Sequence, residues 1–184
     1  MKRHPALAHL SRDHHGALIL ARLLQQDAPA FKGLPVNTKE KAEYAINFYH
    51  KELISHFTGE EKALQLVIGV NEHLDGLIQN IFREHQELHA SFEGIKNNLN
   101  LPAHLDELGK FLEIHVRKEE RELFPLIEQS CNEKILEAID RSLIANHLNK
   151  NIRILVVFIY GRITMRKMAG LQHSVLKQMC QAPA

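Results

Sequence analysis

The sequence predicts an all-α protein, an up-down-up-down four-helix bundle with a short fifth helix and a C-terminal extension. Three observations predict it. Five segments before residue 150 carry apolar residues at spacings of three and four, the period of a helix buried along one face. Little before residue 150 alternates as a strand does. The connections between the long segments are short, which makes successive helices antiparallel neighbours.

The first helix is expected from about Ala6 to Gln26, before the breaker-rich "DAPAFKGLP". Its stripe is Leu7, Leu10, Ala17, Ala21 and Leu24. The second opens after "VNT", where Asn37 or Thr38 can cap it, and runs to about Ile68 with Ile46, Tyr49, Leu53, Ala63 and Val67 inward. The third runs from about Glu72 to Leu99, with Leu74, Ile78, Ile81, Phe92, Ile95 and Leu99 inward. The fourth starts near Ala103, with Pro102 suited to a first turn, and continues to about Gln129. Its stripe is Leu105, Leu108, Leu112, Leu123 and Leu126. The short fifth helix comes after "SCN", from about Glu133 to Asn149.

Each of the four long stripes is interrupted near its middle. His14 falls in the first gap, His56 and Glu60 in the second, His85 and His89 in the third, His115 and Glu119 in the fourth. Counted from the helix ends at 1.5 Å per residue, the interruptions lie about 18 to 27 Å along their axes. Antiparallel packing therefore brings them to a similar height in the interior.

Buried carboxylates are costly unless paired or bound to metal, and two facing glutamates repel each other. The gaps hold no lysine or arginine to neutralise them. They hold histidines, whose neutral rings cancel no charge but bind divalent cations. A set of imidazole nitrogens and carboxylate oxygens suits iron, and also zinc or manganese. Each HxxxE pair puts both side chains on one face, one turn apart. A glutamate so placed can bridge two ions held by histidines of different helices.

Composition excludes other classes. The 184 residues amount to about one domain, and 45% hydrophobic with 24% charged residues is ordinary for a soluble fold. No apolar run approaches the ~20 residues of a membrane span, and no secretory signal is evident. Two cysteines make no disulfide framework, so a reducing cytoplasm is the expected compartment. A net charge of +1 argues against nucleic acid as a partner. The unusual number is 13 histidines without a tryptophan, scattered through periodic segments rather than clustered as a tag.

"LSRDHHGAL", "HFTGEEKAL", "IFREHQELH" and "HVRKEERELFP", in that order, resemble the hemerythrin-like proteins, specifically the bacterial HHE cation-binding domains. The resemblance covers about residues 7–149. It implies a non-heme centre of two iron ions in a four-helix bundle, bridged by two carboxylates. The family's first-helix histidine matches His14, with His15 as competitor; the remaining ligands match His56, Glu60, His85, His89, His115 and Glu119. Oxygen-carrying hemerythrins place an aspartate five residues after the fourth-helix histidine. Here Glu119 stands four after His115, the pattern of the broader domain. That group is linked to oxygen and iron sensing, responses to nitric oxide or peroxide, and repair of iron centres. The implied function is binding of a small ligand such as oxygen, nitric oxide or peroxide in a sensing or stress-response role. A di-iron peroxidase, oxidase or nitric-oxide reductase is the enzyme rival, and a metal-free helical interaction module the structural one.

Helical phase favours His14 over His15, since Leu10 and Ala21 share its face while Ser11 and Arg22 share the other. Leu88 competes with His89 for the inward position. Asp13, Glu61, Glu84 and Glu120 beside the expected ligands read as solvated or as partners of ligands rather than as ligands. Residues 1–149 are thus read as the metal-binding domain and 150–184 as a separate extension. Six of the 23 basic residues and none of the 22 acidic ones lie beyond residue 149, so the extension carries +6 and the body −5. Packing on the bundle, homodimerisation and contact with an acidic membrane are all consistent with it.

Overall fold

Pro5 opens the first helical turn, where its missing N–H costs nothing because that donor has no intrahelical acceptor. In the computed structural model, which describes residues 3–148, the 3-10 turn Pro5–Leu7 runs directly into α1, Ala8–Leu24. Asn37 caps α2 (Thr38–Phe48) by accepting the Glu40 N–H at 2.9 Å. A π-helical turn, Tyr49–Leu53, joins α2 to α3 (Ile54–Gln65), and the three form one rod. The chain then turns through Gly69, whose φ of +88° a side chain would resist. Asn71 caps α4 (Glu72–Gly94), which ends in a 3-10 turn, Ile95–Asn97. The fourth rod is α5 (Leu101–Lys118), a second π turn (Glu119–Leu123) and α6 (Phe124–Ser130). A last helix, α7, covers residues 133–148.

The described residues contain no strand, and the four rods make the all-α bundle that the stripes predict. No helix among them is long and apolar enough to cross a membrane. The chain divides into units 1–144 and 145–184; only 145–148 of the second are described. The extension and its expected dimerisation lie outside the described residues.

α1 lies along α5 as its principal neighbour. Gly109 permits this approach: a Cβ there would meet the Ala21 carbonyl oxygen at 2.5 Å and Leu24 Cβ at 3.0 Å. The core is two apolar clusters rather than one. Leu10, Leu64, Ile81, Leu123 and Ile127 belong to the first, and Leu136, Ile139 and Leu143 of α7 join it. Ala17, Leu53, Phe57, Leu88, Leu112 and Val116 belong to the second. Between them each rod presents polar side chains: His14, then His56 and Glu60, then His85, then His115 and Glu119, all buried.

Three expected core positions differ. Leu99 is fully exposed, because α4 ends at Gly94 and its 3-10 turn at Asn97, leaving Leu99 in the connection. Leu126 is half-buried and Ile127 takes its place in the core. The π turn beginning at Glu119 explains the shift. It adds a residue to one turn and rotates the residues after it by about 100°. Ile46 is also half-buried, with Ala42 and Ala45 turned inward instead.

Candidate metal centre

Helical phase sets the inward side chains. His56 and Glu60, like His115 and Glu119, lie one turn apart on a buried face. The π turn starting at Glu119 lets that rod carry this residue inward and still return Leu123, Phe124 and Ile127 to the core.

The inward atoms form two groups. His14, His56, Glu60 and Glu119 offer donor atoms within 4.8 Å of one another, and so do His85, His115 and Glu119. Glu119 belongs to both. Its Oε2 lies 3.1 Å from His14 Nε2, and its Oε1 lies 3.0 Å from His115 Nε2 and 3.7 Å from His85 Nε2. Glu60 Oε2 is also placed between the groups, 3.7 Å from His56 Nε2 and 3.5 Å from His85 Nε2. His14 Nε2 and His56 Nε2 approach to 3.2 Å.

This donor set fits a cation. Both oxygens of Glu60 and of Glu119, with Nε2 of His85 and of His115, are buried and make no hydrogen bond. Buried acceptors in that condition are costly. Atoms bound about 2.0–2.2 Å from one ion lie roughly 3 to 3.5 Å apart, close to the separations seen. The donors are nitrogen and oxygen with no thiolate, which suits iron, manganese or zinc.

The outer nitrogens of the same rings meet a ring of carboxylates. His14 Nδ1 lies 2.7 Å from Glu120 Oε1, His85 Nδ1 3.0 Å from Glu61 Oε1, and His115 Nδ1 2.9 Å from Glu84 Oε2. His56 Nδ1 is 3.5 Å from Asp13 Oδ2 and makes no hydrogen bond. Each carboxylate is the sequence neighbour of an inward residue on the next rod: Asp13 of His14, Glu61 of Glu60, Glu84 of His85, Glu120 of Glu119. Such pairing fixes a ring's orientation and raises its basicity as a ligand. Lys118 contacts Glu84, and Arg3 holds Glu120 at 2.7 Å. Aromatic rings pack against two of the imidazoles, Phe57 stacked on His85 at 4.3 Å and Phe124 on His14 at 5.5 Å.

In the metal-free cage, burial opposes the charged form of each imidazole, yet the facing carboxylates prevail. His14 is raised to about 10, His85 to about 11 and His115 to about 9. Burial would raise Glu119, but His115, His14 and His85 hold it well below the ordinary carboxylate range. Glu120 is held at about 2, since His14, Ser11 and Arg3 outweigh its desolvation. Protons therefore balance the carboxylates where no cation does, and a cation must displace them.

Of the eight residues expected at the centre, six come together: His14, His56, Glu60, His85, His115 and Glu119. His15 stands exposed on the outer face of α1, one position out of phase. His89 is half-buried and its Nδ1 meets the Tyr49 hydroxyl at 2.8 Å, while Leu88 occupies the interior. Sequence reasoning missed Phe57, Arg3 and Lys118. Phe57 was visible as the residue four after Leu53 on the same stripe, whereas nothing local pairs Arg3 with Glu120 across 117 positions.

Residues 6–127 match the family model for the hemerythrin HHE cation binding domain. No curated protein and no solved structure matches the chain. A buried imidazole–carboxylate cluster between the two halves of a four-helix core, within a span covering about two thirds of the sequence, leads to one assignment: the chain belongs to the hemerythrin HHE cation-binding domain family.

Proposed function

We propose that the cluster holds two iron ions and that the pair binds a small ligand, such as oxygen, nitric oxide or peroxide, in a sensing or stress-response role. The observation that carries the reading is Glu119, whose carboxylate belongs to both groups of donor atoms. His14 and His56 would hold one ion, His85 and His115 the other, with Glu119 and Glu60 between them. Two histidines and a carboxylate on each side favour non-heme iron with open positions over a closed structural site. A di-iron pair supplies redox-active coordination for oxygen, nitric oxide or peroxide. The chain's own groups bind and orient: Glu120, Glu61 and Glu84 hold three of the rings by Nδ1, and Phe57 and Phe124 exclude water from two of them.

The test is anaerobic titration of iron-loaded, reduced protein with nitric oxide, read by optical and spin-resonance spectra. Saturable binding without sustained consumption supports a binding or sensing role. Steady turnover of nitric oxide or peroxide transfers the assignment to the redox enzymes. Absence of any spectral change contradicts the reading.

A further inference from the structure

One face of the cage is built differently from the others. His56 is the most exposed member of the cluster, at 7% against 2% or less for the rest. Its Nδ1 is the one outer nitrogen of the four without a hydrogen bond, and Asp13 stands off at 3.5 Å. Nδ1 itself is buried, while the His56 side chain also lines a cavity of about 220 Å³ between α1 and the rod of α2 and α3. This is far above the ~10–15 Å³ that admits one water molecule. Its lining is graded. Arg12, Asp13 and Glu52 are exposed, Gly16 and Phe48 are half-buried, and Leu53 and His56 are buried.

We infer that this cavity is the passage by which small uncharged ligands, diatomic gases or hydrogen peroxide, reach the metal centre, arriving on the His56 side. The inference rests on the proposed metal pair and adds the route to it. The grading runs from exposed residues at one end to His56, a member of the cluster, at the other, so the cavity ends against the wall of the cage. The other three imidazoles are pinned by carboxylates on their outer nitrogens, and Phe124 stacks on His14 and Phe57 on His85. Two carboxylates and one guanidinium line the cavity, a net negative charge that retards small anions and leaves neutral molecules unhindered. Gly16 and Phe48 set the width, since a Cβ at Gly16 would stand 3.1 Å from Phe48 Cζ.

Gly16→Leu narrows the passage and Phe48→Ala widens it, and neither residue belongs to the cluster. With wild-type iron content, Gly16→Leu should slow nitric oxide association and dissociation at least tenfold and leave the equilibrium constant within about twofold. Phe48→Ala should speed both. Glu52→Gln should raise the association rate of azide two- to threefold at low ionic strength without changing that of nitric oxide; no change for azide overturns the preference for neutral ligands. A second measurement needs no metal. In chelated protein, mass spectrometry should find diethyl pyrocarbonate modifying His56 at least tenfold more slowly in Gly16→Leu than in wild type, with exposed His15 unchanged as internal control. Wild-type rates at His56, or wild-type nitric oxide kinetics in both width variants, overturn the passage. Wild-type protein that holds no iron pair refutes the proposed function instead, and the His56 modification rate still decides whether the passage exists.

Discussion

Glu119→Gln separates charge from shape at the centre of the cage. The side chain is fully buried, with its two oxygens 3.1 and 3.0 Å from nitrogens of His14 and His115. The amide keeps the volume and removes the anion shared by both groups. Depriving a buried ion of its partner costs about 3–5 kcal/mol. Set against the affinity for a divalent cation, that corresponds to roughly a 150- to 5,000-fold loss. The comparison is Glu120→Gln, which meets the outer nitrogen of His14 and, away from the cage, Arg3, and changes of that kind cost about 10- to 100-fold. Competition titration of metal-free protein with ferrous iron or cobalt against a chelator of known affinity gives both constants. Glu119→Gln should lose the tighter-coupled pair and most of its affinity for both ions, Glu120→Gln much less. Equal, small effects of the two variants would refute the shared-carboxylate reasoning.

Other outcomes are expected. Metal-free protein should melt highest between about pH 4.5 and 6.5. The raised values of His14, His85 and His115 contribute stability that is complete below 6.5 and lost as pH rises through about 9 to 11, whereas the depressed Glu119 and Glu120 contribute stability present above 4.5 and lost as pH falls. A melting temperature of chelated protein that climbs from pH 7 to 9 would contradict this. Gly109→Ala should destabilise by ~1–3 kcal/mol, because the new methyl meets the Ala21 carbonyl oxygen at 2.5 Å, while Gly76→Ala, with nothing within 4 Å, should stabilise by ~0.5–1 kcal/mol; denaturant melts check both signs. His14→Ala should lose bound metal, His15→Ala should retain it, and His89→Ala should have the milder effect of releasing Tyr49, all read by elemental analysis. Replacing His56 and His115 with leucine and Glu60 and Glu119 with methionine should raise the melting temperature of metal-free protein while abolishing metal binding, as apolar replacement of buried polar clusters often does.

The bundle and the meeting of its polar interruptions were legible because both depend on helical period. Leu10, Ala17 and Ala21 fix the phase of α1, and that phase turns His14 inward and His15 out. The same rule places His56 with Glu60 and His115 with Glu119. Features that break the period or span the rods were not legible. Nothing in "EEREL" announces a π turn, so the stripe extrapolates to Leu126 when the chain turns Ile127 inward. Leu99 continues the spacing of α4 after the backbone has left the helix. Leu88 and His89 compete for one face, and Tyr49, a residue 40 positions away, meets the histidine that Leu88 displaces. The carboxylate ring could be suspected from acidic residues beside the inward ones, but its partners depend on which rods are neighbours.

The central claim is that six residues from four rods form one cage for two ions joined through Glu119. Its most direct test is the iron-to-chain ratio of protein produced with ample iron and freed of loosely bound metal, measured by elemental analysis against quantitative amino-acid analysis. The cage predicts about two irons per chain, falling together when Glu119 is replaced. A ratio of one or none, or a ratio of two that Glu119→Gln leaves untouched, would contradict it.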